Sequence, residues 1–186
     1  NNHGAIGLIN MPTARLYNES SYGFTLYSGE PDQKITMTSN PFNWLEASFF
    51  YTNIKDKPYC NVDYDAVCDQ DYKDKGFNFK LQLKEEGVLP AFAIGINDIA
   101  GTGFYSSEYI VASYGINKTD FHFGLGWGNL NGSNKSFDNP LGEIYDDFYD
   151  RPTRIEDQGG QFQPSRYFSG QTVSPFLGLT HVINDR

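Results

Sequence analysis

Cysteine is nearly absent from this chain, long apolar runs are absent altogether, and basic residues are outnumbered. There are 2 Cys, and 14 Lys and Arg stand against 23 Asp and Glu in 186 residues. Each scarcity excludes something. Cys60 and Cys68 lie in the polar segment CNVDYDAVC with no His or further Cys nearby, a poor zinc site, so a loop-closing disulfide is the expected state. Closing so short a loop stabilises it by ~2.6 kcal/mol in the chain-entropy model and belongs to an oxidising compartment. The longest apolar run, at 88–94, is interrupted by Pro90 and far too short for a spanning helix, so any role across a bilayer falls to strands. A formal charge of −9 leaves no basic stripe to meet phosphates and argues against nucleic acid as a partner. Residues 1–4 have neither the basic nor the apolar region of a signal peptide, so an exported form is expected to be numbered after cleavage.

What the chain has in quantity is Phe (15), Tyr (13) and Gly (19), a composition of strands and turns. In residues 72–129, Phe77, Phe79, Leu81 and Leu83 alternate with Asn78, Lys80, Gln82 and Lys84, and Phe121, Phe123, Leu125 and Trp127 alternate with His122 and glycines. A period of two separates the faces of an extended strand and of nothing else. The same pattern predicts strands at 22–27, 34–39, 45–52, 77–84, 89–100, 104–114, 120–129 and 173–183, after an irregular lead-in at 1–19. Connections near residues 41, 86 and 118 are short, while those at 55–73 and 130–170 are long, and the two kinds alternate. That asymmetry predicts an all-β, antiparallel transmembrane β-barrel over 20–186, about eight strands, with the apolar face toward lipid. The mean hydropathy of −0.52 is compatible with this, because a polar lumen and polar loops offset an apolar band one residue thick. Phe42, Trp44 and Tyr114 fall near the short-turn side, where an aromatic belt would sit. A secreted carbohydrate-binding β-sandwich has the same composition and is the alternative; in it Phe77 and Phe123 would be buried against a second sheet.

On the barrel reading, Glu46, Asn78, Lys80, Gln82, Lys84, Asn97 and His122 share the lumen with Thr36, Thr38 and Ser48. Such a face either contacts a sugar chain or satisfies its own polar groups by filling the interior.

Several blocks together resemble one family: GLINMPTAR at 7–15, PFNWLEASFFYTNI at 41–54, YKDKGFNFKLQLKEE at 72–86, and DIAGTGFYSSEYIVAS followed by FHFGLGWGNL. They are similar to the YjbH/GfcD family of outer-membrane exopolysaccharide proteins, over roughly the first 130 residues and again faintly near 159–163 and 174–180. The resemblance implies a β-barrel in a Gram-negative outer membrane, serving secretion or assembly of exopolysaccharide or capsule. Its expected partners are outer-membrane lipids, the exopolysaccharide itself and other export proteins. Family members are several times longer, so the chain is expected to be an N-terminal part of a larger barrel.

Motifs of enzymatic chemistry fare poorly. Gly124, Gly126 and Gly128 mimic a phosphate loop, yet the alternation continues through them where a helix would have to begin, so close packing or strand bending is the reading. Aspartates 63, 65, 69 and 71 lack the central Gly and terminal Glu of a calcium loop. Glu143, Asp146, Asp147, Asp150, Glu156 and Asp157 lie in a long loop that does not fix a carboxylate separation for glycoside cleavage. His3, His122 and His181 are far apart in sequence, and no nucleophile motif accompanies them. No catalytic residue, metal or cofactor is expected.

Overall fold

The computed structural model describes residues 1–59, 70–132, 137–153 and 160–183; Cys60 and Cys68, with their expected disulfide, lie outside them. A short hairpin comes first, β1 (Gly7–Leu8) with β2 (Met11–Pro12). The main strands follow: β3 (Ser21–Ser28), β4 (Asp32–Phe42), β5 (Leu45–Pro58), β6 (Asp71–Lys84), β7 (Ala91–Ile99), β8 (Ser107–Ile116), β9 (Thr119–Gly128), the two-residue β10 (Phe137–Asp138) and β11 (Thr172–His181). They form one antiparallel sheet in the order β10-β11-β9-β8-β7-β6-β5-β4-β3. Consecutive strands are neighbours almost throughout, as a meander requires. All eight predicted strands are present. β3 stands at one edge and the two-residue β10, beside β11, at the other, and among the described residues these edges are not paired to each other, so the sheet there does not close on itself.

Some boundaries move. β5 and β6 run on to Pro58 and Asp71, which pair across a register shift, so the connection expected at 55–73 is shorter than its polar sequence suggested. Lys55 and Lys57 break the apolar alternation there, but backbone pairing does not need apolar side chains. β8 starts at Ser107 instead of residue 104, because residues 104 and 105 turn and bring the Tyr105 ring over the Lys34 ammonium at 3.8 Å. Asn117, with φ of 55°, makes the tight two-residue turn between β8 and β9.

The two faces of this sheet are inverted relative to a soluble protein. Apolar side chains lie in cross-strand rows, Phe24–Met37–Phe49–Phe77 and Leu81–Ile94–Ile110–Leu125, on the face that, over these rows, no other described element packs against. Phe77 is 44% and Phe123 56% exposed, contrary to the packing of a β-sandwich. The polar row Thr38–Ser48–Asn78 and the pair Glu46–Lys80 are buried. Soluble antiparallel sheets do the opposite.

Two departures from simple alternation matter. Between β6 and β7 the register slips so that Asn97 and Asp98 oppose a single residue of β6; Asp98 takes φ of 63° and its N–H donates to Asn78 Oδ1 at 3.0 Å. Trp127, expected on the bare apolar face, is only 1% exposed. The segment after β9 folds back over the sheet end: Phe168 packs edge-on against the indole at 5.2 Å, and Trp127 Nε1 donates to Asn139 Oδ1 at 3.0 Å. Beside it Glu108, opposite Trp127 in register, pairs with Arg151 at 2.7 Å. The loop at 130–170 is thus partly a structured cover, built from β10 and two short 3-10 turns at Asp146–Tyr149 and Pro164–Arg166.

The glycines of the inner face make room, as their place in the alternation implied. A Cβ at Gly124 would meet the Phe176 ring at 2.3 Å, and one at Gly126 would meet Leu130 at 2.6 Å. Gly95 lies against the buried Tyr109 ring, 2.1 Å from where its Cβ would stand, beside the small core of Ala14, Ala91, Ala93 and Val111. Replacing Gly95 by Val is therefore expected to destabilise the protein by about 1–3 kcal/mol through overpacking, read as a lowered denaturation midpoint in detergent. The same change at Gly23, where nothing lies within 4 Å, is expected to leave the midpoint in place.

Candidate functional site

The inner face is polar because alternate residues of β4 to β9 are polar, and it is dry because the chain preceding β3 lies across it. Lys80 on β6 and Glu46 on β5 face each other in register, with Nζ and Oε1 3.0 Å apart and both side chains 2% exposed. Lys80 Nζ also donates to the carbonyls of Ile6 (2.9 Å) and Arg15 (2.8 Å), and Glu46 Oε2 accepts the Ile6 N–H at 3.3 Å. The ammonium so donates to two backbone carbonyls of the covering segment and is ion-paired with one carboxylate. Gln82 Nε2 donates to Ala14 O at 2.7 Å, Thr38 Oγ1 to Gly4 O at 2.7 Å, and Ser113 Oγ accepts the Ala14 N–H at 2.9 Å. Arg15 closes the short-turn end, where its guanidinium bonds both Asp120 and Glu86.

Of the residues predicted for a lumen, Glu46, Asn78, Lys80, Asn97 and His122 are buried on this face, and Gln82 is half-buried there. Asn78 Nδ2 donates to Ser48 Oγ and Asn97 Nδ2 to Ser107 Oγ, both at 3.0 Å. His122 bridges Ser113 Oγ, 2.8 Å from Nδ1, and Thr180 Oγ1, 3.1 Å from Nε2. Lys84 is set apart, at the exposed end of β6 opposite Phe92. The polar groups are therefore spent largely on one another and on the covering segment. No group of three or more His, Cys, Asp or Glu side chains is placed to hold a metal ion among the described residues.

Arg15, Ser113 and Lys34 also belong to the site. Alternation with Thr36 and Thr38 puts Lys34 on the polar face, and its ammonium stands over the rings of Tyr105 and Phe50, at 3.8 and 5.2 Å. Arg15 carries no such signal, since its partners lie 71 and 105 residues away. His3 enters with the covering segment, edge-on to Tyr105 at 6.4 Å. Burial, reinforced by the positive charge of Lys34, holds its pKa down to about 3, so the imidazole is neutral in the folded protein.

Two outcomes follow. Substituting Lys80→Met leaves Glu46 buried without its counter-charge and frees the Ile6 and Arg15 carbonyls, a change worth about 3–5 kcal/mol. It is expected to release the covering segment, so trypsin should cut after Arg15 much faster than in the native protein. For His3, a pKa below the unfolded 6.5 means that the unfolded chain binds the proton first as pH falls. Stability conferred by the neutral ring is complete above pH 6.5 and is lost progressively toward pH 3. Between pH 7.5 and 5 the native protein is expected to lose up to about 2 kcal/mol more than a His3→Gln variant, measured as the difference in their denaturation midpoints.

The family model described as exopolysaccharide biosynthesis protein YbjH matches residues 1–186. The chain is also 36% identical over 179 residues to a protein of Escherichia coli (strain K12) called uncharacterized lipoprotein YjbH, covering 96% of this chain and 25% of that relative. It thus spans about a quarter of the relative's length. No solved structure matches. Of the described residues, no helix is long and apolar enough to cross a membrane, a test that does not bear on strands. The blocks from Gly7 to Leu130 that carried the resemblance are in this way part of a match along the whole chain, which belongs to the YjbH family of exopolysaccharide biosynthesis proteins.

Proposed function

We propose that this chain forms part of the wall of an outer-membrane β-barrel that serves the secretion or assembly of an exopolysaccharide, without catalysing a reaction itself. The observation that carries the reading is the inversion of the sheet: Phe, Leu, Ile and Met on the bare face, Lys, Glu, Asn and His on the buried one. Such a surface suits hydrocarbon, where the apolar rows meet lipid and the backbone groups of β4 to β9 are paired by their neighbours. Strands of 8 to 14 residues are long enough for tilted passage. The apolar stripe of β6, from Phe77 to Leu83, runs roughly 20 Å along the strand. Phe42 and Trp44 stack at 5.3 Å at the short-turn end, each exposed, where an interfacial belt belongs. The free edge of β3 and the length of β11 that the two-residue β10 leaves unpaired would be paired by further strands of a longer chain, since lipid tolerates no open edge. In this arrangement the covering segment fills the lumen of this part of the wall, and the polymer passes or docks beside it.

The test is a charge on the bare face. In the full-length protein, Phe77→Lys is expected to cost about 2–4 kcal/mol if the side chain meets the bilayer midplane, and so to deplete the protein from the outer-membrane fraction. A site exposed to water would accept the lysine with little change. Undiminished outer-membrane recovery of Phe77→Lys, or recovery of the native protein without detergent from the soluble fraction, overturns the proposal.

A further inference from the structure

Along β6 the bare face changes character once. From Leu83 back to Phe77 it is apolar, and the next two positions of that face, toward the long connections, are Lys75 and Lys73, both exposed. Their cross-strand neighbours on β5 are Tyr51 and Asn53, and Ile35 and Gln33 of β4 continue the two rows. All of these lie just beyond the pair Phe49–Phe77. The apolar rows therefore give way within one step of the register to ammonium, phenol and amide groups. Counted along the strand, the two lysines stand roughly 7 and 13 Å beyond Phe77.

These two ammoniums are not spent on the protein. Among the described residues neither is paired with a carboxylate, whereas Lys80, inward on the same strand, has Glu46 and two backbone carbonyls. The carboxylate on their face of β6, Asp71, lies one position further out, and its Oδ2 accepts from Asn53 Nδ2 at 3.0 Å. In a chain of formal charge −9, two neighbouring uncompensated cations are a local exception. Lys73, Lys75 and Tyr51 flank a cleft of about 390 Å³ whose lining also includes Tyr59 and Thr102.

We infer that this cleft binds the phosphorylated head of an outer-leaflet lipid, with a phosphate held by Lys73 and Lys75 and the acyl chains lying along the rows of Phe49 and Phe77. The long connections of an outer-membrane barrel face outward, so these lysines stand at the headgroup level of the outer leaflet, where the phosphates of its glycolipid lie directly above the hydrocarbon. A lysine there lays its methylenes against the apolar rows and offers its charge to the phosphate. The Tyr51 hydroxyl adds a donor beside Lys75, its partner in register. An acidic polysaccharide brings the same charge but no chains for the apolar rows, so the lipid fits the whole surface. The inference rests on the barrel reading for the presence of lipid on this face.

The experiment titrates the full-length protein in detergent micelles with bisphosphorylated lipid A, with its fully dephosphorylated form and with hexagalacturonate, and counts bound molecules by native mass spectrometry. Bisphosphorylated lipid A is expected to bind saturably. Lys73→Gln and Lys75→Gln should each weaken that binding about fivefold and together about thirtyfold, the worth of one and of two lysines at a charged lipid surface. Removing both phosphates from the lipid should cost about the same as removing both lysines, and added salt should shrink the difference. Replacing both lysines by Arg should retain binding, and Lys84→Gln, at the opposite end of β6, should leave it unchanged. Both lysines are exposed, so the denaturation midpoint of the double Gln variant is expected to stay in place and to separate loss of binding from loss of folding. No binding of lipid A, equal binding of its dephosphorylated form, indifference to the double substitution, or tighter binding of hexagalacturonate overturns the site. Outer-membrane fractionation keeps the two proposals apart: protein in the outer membrane that shows no preference for the phosphorylated lipid ends this one and leaves the barrel standing.

Discussion

One buried ammonium organises the inner face. Lys80 cannot be left dry and unpaired, so its charge is met by Glu46 and its protons by the carbonyls of Ile6 and Arg15. With those two carbonyls fixed nine residues apart, the hairpin of β1 and β2 between them has little freedom of position. Gln82, Thr38 and Ser113 add bonds along the same path, and Ala14 completes the small apolar core with Ala91, Ala93, Tyr109 and Val111. The pair thus couples a sheet of long-range strand pairings to a segment with little regular structure of its own. Its geometry also explains why the face is polar and yet dry: the groups that would bind water bind main chain.

The strands were legible in the sequence because alternation is a local signal. Phe77 to Lys84 and Phe121 to Gly128 announce both their extended form and the unlike character of their faces. Which face would be covered was legible only in combination with the loop lengths and the family blocks. What escaped was information stored between distant residues. Arg15 finds Asp120 and Glu86, and Ser113 finds Ala14, across separations no periodicity encodes. Trp127 obeys the alternation and still ends buried, because Asn139 and Phe168 return over it. The register slip at Asn97 and Asp98 also has no mark in an apolar–polar pattern, since both residues are polar and both are buried.

The candidate site was half legible for the same reason. Glu46, Asn78, Lys80, Asn97 and His122 could be placed on one face by counting in twos. That the face would be occupied by residues preceding β3 could not, because the lead-in shows no amphipathic pattern: it contributes backbone carbonyls and N–H groups, which every sequence carries alike. Lys84 marks the limit of the count, since the register shifts between Gln82 and Lys84 and sets Lys84 opposite the exposed Phe92, out of phase with Lys80.

The covering segment comes before every strand of the sheet in the chain. A lid added after the wall had formed would have to thread into a crowded, polar groove and displace water from each lysine and carboxylate in turn. Here the peptide is already at hand when β5 and β6 first bring Glu46 and Lys80 together, so the groove can be built around it. The segment then acts as a mould for the inner surface: strands in the wrong register would present the wrong side chains to its carbonyls, and the buried lysine would go unpaired.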